Sequence, residues 1–279
     1  MSICIRDERV PVQMATEFAT LVTYNPLSFS SDLPLSDVWT TFLKMGLDAV
    51  PVRDEARNVA GITRHRELCR AAVDRGNVDS VTLADCITPT PPRDSTVTAG
   101  EILGLLLAKD LPILPIVEDS ALVGVVSRSD FLRELSYHEF ASSENSVLES
   151  VHKIDDWQES DIELEEAIKV QEQQGHGMLA LGRGDHLMGV VSARVLTRAW
   201  SCRHFERLMR DEPPIPESSS VLLLVRLAPT IPPGSSFADA ATIMLEHNVD
   251  AIAVSNAAGR TLGYITALDL LKSLQHELK

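Results

Sequence analysis

The sequence predicts an α/β fold built from four tandem copies of one unit, each reading loop, helix, strand, turn, strand, helix. Three observations predict it. Short apolar runs come in pairs around a polar turn, apolar residues at helical spacing precede each pair, and a hydroxyl residue that opens a new helix follows it. The copies also keep a period. With first strands anchored at Pro51, Pro115, Ala180 and Ala253, the steps are 64, 65 and 73 residues. From those anchors the helix-opening hydroxyls Thr63, Ser127, Ser192 and Thr266 follow at 12, 12, 12 and 13 residues. Self-similarity at a near-fixed period marks one supersecondary unit that cannot bury its apolar face alone and must stack on its neighbours.

The elements follow in order. Met1 to about Ala19 carries weak patterning, and Leu21 to Tyr24 reads as a short strand. Asn25-Pro26 and the Ser/Asp/Pro-rich stretch to Ser36 read as loop. Val38, Phe42 and Met45 fall at i, i+4, i+7, one face of a helix that Gly46 ends. Ala49 to Val52 is a strand, RDEARN a turn and Val59 to Ile62 the return, after which Thr63 opens a helix through Leu68 to Val73. The second unit starts at Cys86-Ile87-Thr88 and passes the loop PTPPRDST to a helix face of Ile102, Leu105 and Leu106. Its strands are Ile113 to Val117 and Leu122 to Val126, around the turn Glu118-Asp119-Ser120. Ser127 then opens a helix with Phe131, Leu132 and Leu135 on its apolar side. The third unit is less regular. An acidic loop, Asp155 to Asp161, leads to helix positions Leu164, Ile168 and Gln171. Strands Gly177 to Leu181 and Leu187 to Val191 flank a Gly182-Arg183-Gly184-Asp185 turn, and Ser192 opens a helix. A Pro/Ser-rich linker at 211–220 precedes the all-apolar run Val221 to Val225, which is either an added strand or linker packed into the core. The fourth unit has a loop from Pro229 to Ser236 and a helix face of Ala240, Ile243 and Met244. Strands Ala251 to Val254 and Leu262 to Ile265 flank SNAAGR, and the last helix runs from Thr266 through Leu274.

Composition narrows the function. The chain has 279 residues, is 44% hydrophobic and only 5% aromatic, so aliphatic residues must build most of the core. Its formal net charge of −15 opposes phosphate backbones and anionic lipid, which argues against nucleic-acid polymers and membrane surfaces as partners. Cys4, Cys69, Cys86 and Cys202 show no C-x-x-C spacing, and the eight histidines show no metal-ligand spacing. Scattered reduced thiols, the lack of a signal-peptide core in MSICIRDERV and the lack of a membrane-length apolar run set cytoplasmic as the expected location. No G-x-S-x-G, P-loop or G-x-G-x-x-G is present, so no catalysis is expected.

Ser127 and Asp130 have two readings. A Ser N-cap with an acid three residues on satisfies exposed helix N–H groups, which is capping alone. Comparison of the copies separates the two residues. The hydroxyl stands in all four units, but the acid stands only at Asp130 and Asp269, with Arg66 and Val195 at the positions counted as equivalent. An acid that two caps do without is free for a second task.

The repeats LPILPIVEDSALVGVVSRSDFL, LDAVPVRDEARNVAGITRHREL, VDAIAVSNAAGRTLGYITALDLL and, more weakly, HGMLALGRGDHLMGVVSARVL resemble the CBS domain, the family named after cystathionine beta-synthase. The resemblance covers about Ala19 to Gln275. It implies β-α-β-β-α repeats with small three-stranded sheets and two helices each, paired into two pseudo-twofold Bateman modules. The first pair would occupy 1–137 (repeats about 19–75 and 84–137) and the second 145–279 (repeats about 147–203 and 221–276). It implies an adenosine-type ligand (AMP, ADP, ATP or S-adenosylmethionine) in clefts between paired repeats, with no required cofactor or metal. The ribose diol would be held by Asp130 beside Ser127 and by Asp269 beside Thr266, and the base walled by Ile113 and Val125 or by Ala251 and Tyr264. The same four wall residues also read as ordinary sheet core. Members often carry bases just before the first strand, where this chain has Pro112-Ile113 and Asp250-Ala251. Arg64, in the run Arg64-His65-Arg66, and Arg128 are the phosphate candidates, with a solvated helix turn as the other reading. With no enzyme domain outside the repeats, the regulated activity is expected on another protein. Surplus exposure on the apolar helices would imply a homodimer. An interaction scaffold with vestigial clefts is the alternative.

Overall fold

A two-residue strand, a helix, a β-hairpin and a second helix recur along the chain. The computed structural model describes residues 20–45, 47–64, 67–68, 71, 81–94, 96–137, 140–154, 157–174, 178–183, 186–192, 195–196, 199–200, 221, 229–259 and 261–278. The expectations for Met1 to Ala19, Gly46, the 211–220 linker and residues 222–225 lie outside them, as do His65, Arg66 and His176.

Repeat one holds β1 (Thr23–Tyr24), β2 (Phe29–Ser30), α1 (Leu35–Met45), β3 (Ala49–Arg53) and β4 (Val59–Arg64). The buried stripe of α1 is Leu35, Val38, Trp39 and Phe42, spaced i, i+3, i+4, i+7. Met45, expected on that face, is 56% exposed at the last residue of the helix. Repeat two holds β5 (Arg93–Asp94), α2 (Ala99–Ala108), β6 (Ile113–Glu118), β7 (Ala121–Ser127) and α3 (Arg128–Ser136). Thr98 and Glu101 form a capping box at the start of α2. Its buried residues are Ile102, Leu103 and Leu106, whereas Leu105 is half-buried. Asp119 and Ser120, at φ 46° and 68°, make the tight two-residue turn between β6 and β7.

Repeat three holds β8 (Gln158–Glu159), α4 (Leu164–Gln174), β9 (Met178–Arg183) and β10 (His186–Ser192). Repeat four holds β11 (Thr230–Ile231), α5 (Phe237–His247), β12 (Ala251–Ser255), β13 (Thr261–Thr266) and α6 (Ala267–Glu277). In every repeat the short strand pairs parallel to the first hairpin strand, giving the orders β2-β3-β4, β5-β6-β7, β8-β9-β10 and β11-β12-β13. The fold class is the expected one: small α/β repeats with three-stranded sheets.

Leading segments cross to the neighbouring repeat. β1 adds to repeat two, with Thr23 opposite Val125. Thr88, ahead of repeat two, exchanges both backbone hydrogen bonds with Ile62 of repeat one (3.1 and 2.8 Å). His152, ahead of repeat three, does the same with Tyr264 of repeat four (2.8 and 2.9 Å). The crossing strands come so near that a Cβ on Gly61 would lie 2.4 Å from Thr88 O, and one on Gly263 2.2 Å from His152 O. Val221 is buried in the repeat-three core and donates its N–H to Ile162 O. Contacts among the described residues divide the chain into two compact units, one up to Asp130 and one from Phe131 onward. The boundary falls inside α3.

Candidate ligand sites at the hairpin–helix junctions

Strand register gives an alignment of the repeats that residue counting does not. Ser127 pairs with Ile113, Ser192 with Met178, Thr266 with Ala251 and Arg64 with Ala49. The equivalent of Ser127 in repeat one is therefore Arg64, not Thr63, and the equivalent of Asp130 is Glu67, not Arg66. Thr63 is fully buried within β4 and donates to Cys86 O (2.9 Å). Counting from Pro51 slipped by one because five residues separate the last pair of the first hairpin, Arg53 and Val59, against two between Glu118 and Ala121 in the second. A better signal was in the sequence. Each hairpin's return strand contains a glycine (Gly61, Gly124, Gly189, Gly263), and three residues on stand Arg64, Ser127, Ser192 and Thr266. By that count an acid follows in three repeats, at Glu67, Asp130 and Asp269, and only Val195 breaks the pattern.

In the first unit, Ser127 and Asp130 form a full capping box. Asp130 Oδ2 accepts from Ser127 N (2.8 Å) and Ser127 Oγ (2.6 Å), while Asp130 N donates to Ser127 Oγ (3.2 Å). Val125 and Ser127 lie two apart on β7 and so share a face, and Ile113 lies directly opposite Ser127. The expected wall residues and the carboxylate thus belong to one surface. Ile113 and Asp130 are buried there, whereas Val125 is half-buried.

Both arginines expected at a phosphate reach Asp110, the residue in the left-handed conformation (φ 50°) just past α2. Arg128 Nη2 donates to Asp110 Oδ1 and to Leu106 O, each at 2.8 Å. Arg64 Nη1 donates to Asp110 O (3.3 Å), and its Nε and Nη2 grip both oxygens of Glu67. Arg128 Nε is buried with no hydrogen-bond partner among the described residues. Neither Glu67 nor Asp110 was anticipated from the sequence. Each neutralises a cation there.

The second unit repeats the cap. Asp269 Oδ2 accepts from Thr266 N (2.9 Å) and Thr266 Oγ1 (2.6 Å), and Asp269 N donates to Thr266 Oγ1 (3.4 Å). Ala251 and Tyr264 pack with Met178 and Val190 into a small apolar cluster between the two sheets. By register Met178 corresponds to Ala251 and Val190 to Tyr264, so the cluster is two pseudo-symmetric pairs. The structure shows these two walls as buried core at the repeat interface. Burial, with the Asp269 charge second, holds the Tyr264 phenol above its ordinary pKa.

His152 was not singled out by the sequence. Its Nε2 lies 2.9 Å from Asp269 Oδ2, and its ring stacks on Tyr264 with centroids 5.1 Å apart and planes 25° apart. Elsewhere in the repeats, Ser192 Oγ accepts from Val195 N (3.2 Å), a cap without an acid. Burial, assisted by Asp85 and Glu67, pushes the Cys86 thiol up to about 12. Among the described residues no group of three or more His, Cys, Asp or Glu could hold a metal, and no helix is long and apolar enough to cross a membrane.

The family profile described as CBS domain matches residues 18–74, 94–137 and 206–276, which is more than half of the sequence. The chain belongs to the CBS domain family. The stretch read as the third repeat, about 147–203, lies outside those matches, in keeping with its weaker pattern and missing acid. Two solved structures share the fold across nearly the whole of this CBS-domain chain. One is a Methanocaldococcus jannaschii protein described as a candidate archaeal homologue of g-AMPK, with TM-score 0.71 and 16% identity, covering 92% of this chain and 99% of that one. The other is an uncharacterized conserved protein of Pyrococcus horikoshii, with TM-score 0.58 and 17% identity, covering 91% and 98%. A comparison with curated protein sequences finds no match.

Proposed function

We propose that this CBS-domain chain is a regulatory protein without catalysis of its own, which takes an adenosine nucleotide or a relative between paired repeats and passes the change to a partner protein. The pairs are read as 1–137 and 145–279, the arrangement in which each described leading segment lies on the neighbouring repeat. The observation that carries the reading is the first-unit junction. There a carboxylate at a helix N-terminus (Asp130), an apolar strand face (Ile113 and Val125) and two guanidinium groups (Arg64 and Arg128) belong to one pair of repeats. These are the groups that a ribose diol, a base and a phosphate would each require. A carboxylate can cap a helix through one oxygen and accept a hydroxyl on the other, and a helix N-terminus favours an anion. Binding would act on the partner only through a difference in affinity between two arrangements of the protein.

Titration calorimetry of the full chain with AMP, ADP, ATP and S-adenosylmethionine tests the reading. At least one should bind, and Asp130→Asn should weaken it by about tenfold or more, the scale of a lost hydrogen bond to a charged group. Undiminished binding in both Asp130→Asn and Asp269→Asn would remove the site assignment. A second reading, an interaction scaffold with vestigial clefts, is favoured by the internal pairing of Arg64 with Glu67 and of Arg128 with Asp110. That reading expects no thermal shift with any of the four ligands and co-purification with a partner.

A further inference from the structure

We propose that His152 is a built-in occupant of the second unit's ligand position, so that this unit admits an adenosine ligand only when the imidazole swings off Asp269 and Tyr264. The inference rests on the nucleotide reading and adds to it an internal competitor in the second unit.

The geometry is specific. The His152 backbone is clamped to Tyr264 by two hydrogen bonds, and Gly263 lets it approach closer than any side chain would allow. From that clamp the imidazole makes two contacts at once: Nε2 to Asp269 Oδ2 at 2.9 Å, and ring on ring with Tyr264 at 5.1 Å. The ring takes the place of a base on Tyr264, while its nitrogen sits on Oδ2, the oxygen that also takes the cap, so it obstructs a nucleoside by its position beside the acid. The His152 side chain is 41% exposed and that of Asp269 only 11%, so the imidazole lies on the solvent side of the acid, where a ligand would enter.

Among the described residues, the crossing segment of the first unit differs at this position. The residue in register with His152 there is Thr23, opposite Val125 as His152 is opposite Tyr264. The third described crossing segment also carries a threonine, Thr88 opposite Ile62. A threonine on a crossing strand has neither a ring to stack nor the reach of an imidazole. An occupant that must leave before a ligand enters lowers the second unit's apparent affinity by the fraction of molecules in which it is displaced.

The test uses the full chain and AMP as the probe. With the first unit silenced by Asp130→Asn, adding His152→Thr should tighten AMP binding at the second unit by about tenfold or more, and adding Asp269→Asn to that pair should abolish the gain. His152→Gln, which keeps a donor near Asp269 but lacks the ring, should fall between and serves if the Thr variant folds poorly. Independently of ligand, the imidazole nitrogen signals of His152 should move in Asp269→Asn, and saturating AMP should move them in the wild type. If AMP binds the wild type through Asp130 but His152→Thr brings no gain, the occupant idea fails and the nucleotide reading stands. If AMP binds at Asp269 while the His152 signals stay put, the occupant idea fails too. If no variant binds AMP, ADP, ATP or S-adenosylmethionine, both fail.

Discussion

The junctions at Asp130 and Asp269 have the same cap and opposite surroundings. In each, one carboxylate oxygen accepts from the backbone and side chain of the residue three before it. Around Asp130 the neighbours are charged: Arg128 opens α3, Arg64 closes β4 and Asp110 follows α2. The matching positions in the second unit hold Ala267, Ser192 and Asn248, with Asn248 at the same left-handed φ of 50° as Asp110. Among the described residues, the second junction has an aromatic pair, His152 on Tyr264, in place of those arginines. The local cap fixes where a carboxylate stands. What the site can recognise is decided by residues far away in sequence, which differ freely between copies. On the proposed nucleotide reading, the first unit would meet a phosphate with its arginines, and the second would depend more on stacking once His152 is displaced.

The largest effect should come from breaking the clamp behind His152. Gly263→Ala places a Cβ 2.2 Å from His152 O, which accepts from Tyr264 N while His152 N donates to Tyr264 O. Gly124→Ala in the first unit meets Val22 Cγ1 at 2.3 Å, a side-chain atom, with the nearest backbone atom, Thr23 O, at 3.2 Å. Urea denaturation should show Gly263→Ala destabilised by about 3 kcal/mol and Gly124→Ala by about 1 kcal/mol, overpacking being tolerated where the neighbour yields. Equal losses would mean that the two crossing strands are held equally tightly, and the comparison would lose its structural basis.

The next effect separates the acids. Asp130→Ala removes a capping partner and should cost about 1 kcal/mol. Asp269→Ala removes the same kind of cap plus the imidazole contact, which should contribute about 0.5 kcal/mol of its cost, a small figure because His152 is partly exposed and screened. A double-mutant cycle between His152→Thr and Asp269→Ala measures that contribution directly, since the two residues touch. A coupling of zero would show that the pair contributes nothing in solution.

The hairpins, the long helices and the caps were legible in the sequence because each depends on contiguous residues. The two-residue strands β2, β5, β8 and β11 were read as loop, since Phe29-Ser30, Arg93-Asp94, Gln158-Glu159 and Thr230-Ile231 are too short to show a period of two. Arg64 was found as a cation but misplaced by one in the repeat. The count ran through a turn of variable length rather than from the glycine that the crossing strand requires. Glu67 was missed for the same reason. His152 could not be found by pattern at all. It lies 117 residues from Asp269 and belongs to a segment with no motif. Only strand exchange between repeats brings the two together.

The smallest effect is one of selectivity. Asp110 Oδ1 holds one nitrogen of Arg128 and its side chain is largely exposed (78%), so on the proposed reading it competes with a phosphate oxygen for that guanidinium. Asp110→Asn removes the charge while keeping a residue that tolerates the left-handed backbone. AMP should then bind the first unit about three- to tenfold more tightly relative to adenosine, because a carboxylate no longer competes for the guanidinium and no longer repels the phosphate. The reverse change, Asn248→Asp in the second unit, should leave the ratio of AMP to adenosine affinity nearly unchanged, because Ala267 stands there in place of Arg128 and offers nothing to compete for. Calorimetry with the two ligands on both variants reads these ratios. If Asp110→Asn leaves the ratio at its wild-type value, Arg128 is a structural tether for the end of α2 through Leu106 O and not a phosphate contact. The two junctions would then differ only in what covers their carboxylates.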